Sequence, residues 1–146
     1  MLREIELPPV WLAGAIVIGW GVSRLWTVSF FGGQQIGMML FAIGAVFMVL
    51  AAGQMLLRRT TVIPRRDPNA LVTSGCFAIS RNPIYVADAL MLAGALLYLE
   101  AAYMLWLVPL FMAIITRRFV LGEEDRLRRR FGAVYEDYCR ATRRWL

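Results

Sequence analysis

The sequence predicts an all-α, polytopic membrane protein with about four transmembrane helices, a cytosolic loop and a C-terminal amphipathic helix. Three observations carry that expectation. Of 146 residues, 60% are hydrophobic, above the share usual in soluble domains. Apolar runs of roughly 20 residues recur, long enough to cross a bilayer as helices. Arginines gather at the ends of those runs rather than along one face of each. Composition does not change along the chain, so residues 1–146 read as one domain.

The first span is expected over residues 8–31, "PPVWLAGAIVIGWGVSRLWTVSFF". It opens on prolines suited to a helix start and carries Trp11 and Trp26 near its ends, as an interfacial aromatic belt does. No small-residue cleavage site closes it, so a cleaved signal peptide is not expected. "FGGQQ" signals a tight turn. The second span, 35–57, carries Gly37, Gly44, Ala51, Ala52 and Gly53, small residues that let helices approach closely in lipid.

A polar stretch, 60–83, follows; its prolines and Gly75 argue against a continuous helix. Apolar character returns from Ile84 to Val120. One helix of that length would run about 55 Å at about 1.5 Å per residue, far beyond a hydrocarbon core of about 30 Å. The chain should therefore fold back near Leu99-Glu100-Ala101, giving spans 84–99 and 101–118, with Pro109 kinking the returning helix. In the tail, Leu127, Phe131, Val134, Tyr135 and Tyr138 recur at steps of three and four. That spacing predicts an amphipathic helix over 122–142, lying on anionic headgroups or closing over a site in the loop.

Arg58, Arg59, Arg65, Arg66, Arg81, Arg117 and Arg118 flank span ends that share one side if four helices cross. Arginine bias then puts both termini and the loop in the cytoplasm. The net charge of +6 comes from arginine alone, with no lysine and no histidine. Its placement beside the spans points to lipid headgroups and topology, not to nucleic acid. Without histidine, neither the common His-bearing metal sites nor a His general base is available, and no metal is expected. Cys76 and Cys139 form no CxxC pattern and are read as reduced thiols.

Asp88 stands about one turn into the third span, and carboxylates inside a membrane are functional candidates by default; a water-reaching position at the interface is the other reading. Arg24 is expected near the opposite face, snorkelling to headgroups rather than pairing with Asp88. Glu123 and Glu124 follow Gly122 at a helix start. Acids are favourable there in any helix, and the same geometry lets a carboxylate accept paired hydroxyls or hold an ammonium.

The order "LVTSGCFAISRNPIY", apolar hairpin, "RRFVLGEEDRLRRRFGAVYEDYCRATRRWL" resembles the isoprenylcysteine carboxyl methyltransferase family and its phospholipid methyltransferase relatives. Leu71, Val72, Thr73, Gly75, Phe77, Arg81, Pro83, Tyr85, Glu123, Glu124, Phe131, Gly132, Tyr135 and Tyr138 match the family pattern. The resemblance covers Thr60 to Leu146; ahead of that, the first two spans match only in being apolar. It implies an integral membrane enzyme that uses S-adenosylmethionine and yields S-adenosylhomocysteine. It also implies that the cofactor is held by Asn69, Ala70, Leu71, Val72 and Phe77, by the turn Asn82, Pro83, Ile84 and Tyr85, and by Glu123 with Glu124 beside it. Asn82 replaces the family's usual histidine. It keeps a hydrogen-bond donor and acceptor but carries no charge, so cofactor binding survives there and proton transfer does not. Phe119 stands where similar carboxyl methyltransferases place an arginine for the substrate carboxylate.

From the resemblance, the expected reaction is methyl transfer to a lipophilic or amphiphilic acceptor, isoprenylcysteine carboxylate-like or phospholipid amine-like, at the cytoplasmic membrane face. Arg81 or Arg118 would bind its anionic headgroup, with Glu124 completing the catalytic set. The partners are then the bilayer and a lipophilic or prenylated substrate. Two alternatives come from other classes: a four-helix transporter subunit with Asp88 as coupling carboxylate, and a non-catalytic scaffold on the same fold.

Overall fold

The computed structural model describes residues 7–29, 31–59 and 70–146. Among them the chain is all-helical, and its only strand-like pairing is an isolated parallel bridge between Val28 and Ala101. Helix α1 spans Pro8–Ser23, α2 Gly33–Leu57, the one-turn α3 Cys76–Ile79, and α4 Pro83–Tyr98. A 3-10 turn over Ala102–Met104 leads into α5, Leu107–Ile115; a π segment, Thr116–Val120, carries the helix on into α6, Leu121–Phe131. Helix α7, Ala133–Ala141, ends the chain's regular structure.

Helices α2 and α4 form the central pair. A Cβ placed on Gly37 would lie 2.5 Å from Tyr98 N and 2.6 Å from Gly94 O. One on Gly44 would lie 2.9 Å from Ala87 O. Gly37, Gly44 and Ala51 are buried at steps of seven, the spacing of a left-handed helix seam. Of the five small residues named above, Gly37 and Gly44 meet the α4 backbone and Ala51 is buried against the polar stretch and α7, while a Cβ on Gly53 would meet nothing within 4 Å. The large apolar side chains of α2 face outward: Ile43, Val46, Val49 and Leu50 are all exposed. Small residues inside and bulky ones outside fit a helix whose solvent is lipid.

Gly33–Leu57 and the continuous helical run Ala102–Phe131 are long and apolar enough to cross a membrane; Pro8–Ser23 and Pro83–Tyr98 are apolar but shorter. At 16 residues each, these two reach about 24 Å at about 1.5 Å per residue.

The hairpin turns where expected, without glycine. Glu100 takes the left-handed conformation at φ 57°, Glu100 N donates to Leu97 O, and Ala101 N donates to Leu96 O at 2.9 Å. That is a Schellman ending with glutamate in glycine's usual place. Its carbonyl accepts Val28 N at 2.8 Å, and its carboxylate faces Gln34 Nε2 at 3.5 Å. Tertiary bonds on the tip offset the local strain.

Three boundaries differ from expectation. The first helix stops at Ser23 instead of continuing to residue 31, because the chain leaves it to join this hairpin tip: Ser23 Oγ donates to Trp20 O at 2.8 Å, and Trp26 O accepts the Tyr103 hydroxyl at 2.7 Å. Pro109 makes no kink, since it occupies the first turn of α5, where its missing N–H has no helical partner to lose. The irregularity comes later, at the π segment, where Thr116 Oγ1 donates to Met112 O at 2.6 Å, competing with the backbone ladder. Finally, the amphipathic helix expected over 122–142 is two helices. The first, α6, continues from α5, and Gly132 at φ 52° breaks it from α7.

Candidate active site

The described part of the polar strip, from Ala70 to Asn82, is fastened at Gly75 and again where it enters α4. Gly75, at φ 61° and ψ −126°, sits in backbone space that only glycine enters freely. A Cβ there would also collide with the Gln54 amide, whose Oε1 accepts Cys76 N at 3.1 Å. The glycine thus lets the strip turn hard against the end of α2. Gly75→Ala is expected to cost about 2 kcal/mol, read as a lower unfolding midpoint in detergent.

Beyond that turn, Phe77 and Val72 are buried with Ala51, Cys76, Tyr135 and Tyr138, and Leu71 packs partly on the same cluster. The Tyr138 hydroxyl donates to Phe77 O at 2.6 Å, tying α7 to α3. Burial is the main cause that raises the Tyr138 hydroxyl's pKa above its ordinary value, so it stays protonated and remains a donor.

The last residues of the chain strap this assembly to the start of α4. Ser80 Oγ and Asn82 Nδ2 both donate to Arg144 O at 3.1 Å, and Arg81 N donates to Arg143 O at 2.9 Å. Ser80 Oγ also accepts Asn82 N at 3.1 Å. With Nδ2 committed, Asn82 Oδ1 is the amide atom left to accept. Pro83 follows as the first residue of α4, needing no N–H partner. Ile84 bridges the two apolar clusters.

Glu124 is 5% exposed and grips Arg144 with both oxygens, Nε to Oε1 at 2.8 Å and Nη2 to Oε2 at 2.7 Å. Arg81 Nη2 lies 3.7 Å from the same carboxylate, and Arg81 Nη1 donates to Cys139 Sγ. These hydrogen bonds donated to Glu124 raise the Arg144 guanidinium above its ordinary pKa. Neighbouring Glu123 takes the Tyr85 hydroxyl at 2.9 Å, joining the first turn of α4 to that of α6. Glu123 lies beyond the apolar part of its helix, and burial pushes its carboxyl up against the opposing pulls of Tyr85 and Arg126.

The structure therefore brings together Leu71, Val72, Phe77, Arg81, Asn82, Pro83, Ile84, Tyr85, Glu123 and Glu124, with Ala70 the first described residue of the strip; Asn69 lies outside the described residues. Arg118 is set apart, exposed and over the Trp11 ring of α1 at 5.1 Å from its centroid. Phe119 is 1% exposed and packs in the core with Tyr85, Ile115 and Val120. Arg24 stacks on Trp20 at 5.6 Å, and Asp88 makes no bond to it.

Sequence reasoning missed the strap. Arg144 sits twenty residues from the carboxylate it neutralises, in a run of arginines that reads as a lipid-facing surface. The only signal was negative: a buried glutamate requires a cation, and its spacing names none.

This joining of loop, α4 and α6 lies within a match to a known family. The sequence pattern of the phospholipid methyltransferase family fits residues 33–134, more than two thirds of the chain and all of the Tyr85–Glu123 contact. No curated protein and no solved structure matches it. The chain belongs to the phospholipid methyltransferase family.

Proposed function

We propose that the protein moves a methyl group from S-adenosylmethionine to a lipophilic or amphiphilic acceptor at the cytoplasmic face of a membrane that it crosses four times. The observation that carries this reading is the 2.9 Å bond between Tyr85 and Glu123. It fixes an aromatic ring and a carboxylate side by side at the point where loop, α4 and α6 converge.

The residues there fit a nucleoside that bears a sulfonium. Glu123 offers a carboxylate to paired hydroxyls or an ammonium. Asn82 Oδ1 offers a further acceptor, held in place by the Arg144 carbonyl on Nδ2. The faces of Tyr85 and Phe77 suit a neighbouring cation. The donor supplies a methyl already activated for in-line attack, so the chain's part is alignment and the exclusion of water. Tyr85 stands between the two sides of that task, its hydroxyl on Glu123 and its ring in the apolar core with Leu92 and Phe119. Of the two arginines expected at the acceptor headgroup, Arg118 is the exposed one; Arg81 is drawn into the Glu124 cluster as a structural cation. Glu124, held by Arg144 and Arg81, positions the strap and Glu123 rather than touching substrate.

Calorimetry with S-adenosylhomocysteine in detergent tests the reading. The parent should bind it, and Glu123→Gln should bind about tenfold or more weakly, the range for losing a charged hydrogen-bond partner. Equal affinity in the two proteins would remove Glu123 from the cofactor site.

A further inference from the structure

We infer that Asp88 is a specificity-determining residue that receives the acceptor, selecting a lipid-soluble head with basic N–H groups over one ending in a carboxylate. The inference rests on the methyl transfer proposed above.

Asp88 is 1% exposed, and among the described residues neither carboxyl oxygen has a hydrogen-bond partner. Buried carboxyl groups are normally paired or bonded, so one left without a donor is a site with unused acceptor capacity. Asp88 follows Tyr85 by three residues on α4, hence on the same helical face, and Leu92 continues that face into the core. The only proton Tyr85 can donate goes to Glu123, so it does not serve Asp88.

Asp88 also lies five residues beyond the start of α4 at Pro83, about 7.5 Å along the axis. A headgroup there would have entered from the hydrocarbon side. Tyr85 and Leu92, which flank Asp88 on that face, pack in the cluster with Leu12 of α1 and Phe111 and Ile115 of α5.

Charge decides what that face accepts. A carboxylate acceptor would meet two acids in sequence, Asp88 and Glu123. Arg81 is engaged at Glu124, Arg118 lies over Trp11, and Arg126 acts on Glu123. An amine instead supplies the N–H donors that both Asp88 oxygens lack.

The test titrates the full chain in detergent with dodecylamine, dodecanoic acid and dodecyltrimethylammonium, the last carrying charge without N–H. Calorimetry should give the amine at least about tenfold tighter binding than the acid. Asp88→Asn and Asp88→Leu should weaken amine binding by about tenfold or more and leave the acid unchanged or improved. The trimethylated ligand should change less than the amine. Equal amine affinity in parent and folded variants overturns the inference, and so does a parent that prefers the acid, whatever the variants do. S-adenosylhomocysteine is titrated in parallel. A variant that binds it normally and has lost no amine affinity overturns Asp88 alone. A parent that fails to bind it while still preferring the amine overturns the methyl-transfer reading and leaves the selectivity of Asp88 standing.

Discussion

Glu124→Ala is expected to lower the unfolding free energy by about 3 kcal/mol, with the loss concentrated at the cytosolic end of the molecule. The carboxylate is nearly inaccessible and pairs with two guanidinium groups, Arg144 through two hydrogen bonds and Arg81 at 3.7 Å. Its removal leaves Arg81, whose side chain is only 13% exposed, without its acid, a larger penalty than the pair's own net worth. It also frees the strap: the Arg143 and Arg144 carbonyls lose the side-chain anchor that holds them over Arg81, Ser80 and Asn82. A double-mutant cycle with Arg144→Ala separates the two contributions. Coupling of about 1.5–3 kcal/mol is the expected range for a charged bidentate bond, and thermal unfolding in a mild detergent measures it. Additive losses would mean that the two side chains hold the tail independently. Arg144→Lys should recover only part of the stability, since an ammonium cannot reproduce the two-pronged geometry.

How far the sequence revealed this arrangement depended on whether the cause was local. The hairpin at Leu99–Ala101 was legible because an apolar stretch too long for a bilayer must turn somewhere, and Glu100 was the only charged residue in its middle. The end of α1 at Ser23 was not, because residues 24–29 leave the helix for a tertiary bond, Val28 N to Glu100 O. Pro109 invited a kink only while its distance from the helix start was unknown. The motif residues Tyr85 and Glu123 were legible as separate chemistry, yet their bond joins residues 38 apart. Glu124 is the sharpest case. Spacing put two acids at a helix start and gave them one reading, while burial splits them: one faces Tyr85 and the other the C-terminal strap.

Gly37→Ala should be the more damaging glycine change in α2, by about 3 kcal/mol or more, although alanine is the better helix former by about 1 kcal/mol. A methyl there would meet Tyr98 N at 2.5 Å and Gly94 O at 2.6 Å. Both are backbone atoms of α4, and no rotamer change relieves them, so the helices must separate. Overpacking of this kind usually costs 1–3 kcal/mol, and here it acts on the central helix pair. Between helices in lipid, close van der Waals packing carries the association, with no hydrophobic term to replace it. Gly53→Ala is the control on the same helix: nothing lies within 4 Å of its would-be Cβ, so propensity alone acts and the change should be neutral or stabilising by up to about 1 kcal/mol. Gly94→Ala strikes the same contact from the other side, at 2.5 Å from Phe41 N and 2.6 Å from Gly37 O. Once one methyl has forced the helices apart the second finds space, so the double variant should lose clearly less than the sum of the singles. Unfolding of the four proteins in one detergent decides it: strict additivity would mean that α2 and α4 do not meet at the Gly37–Gly94 crossing.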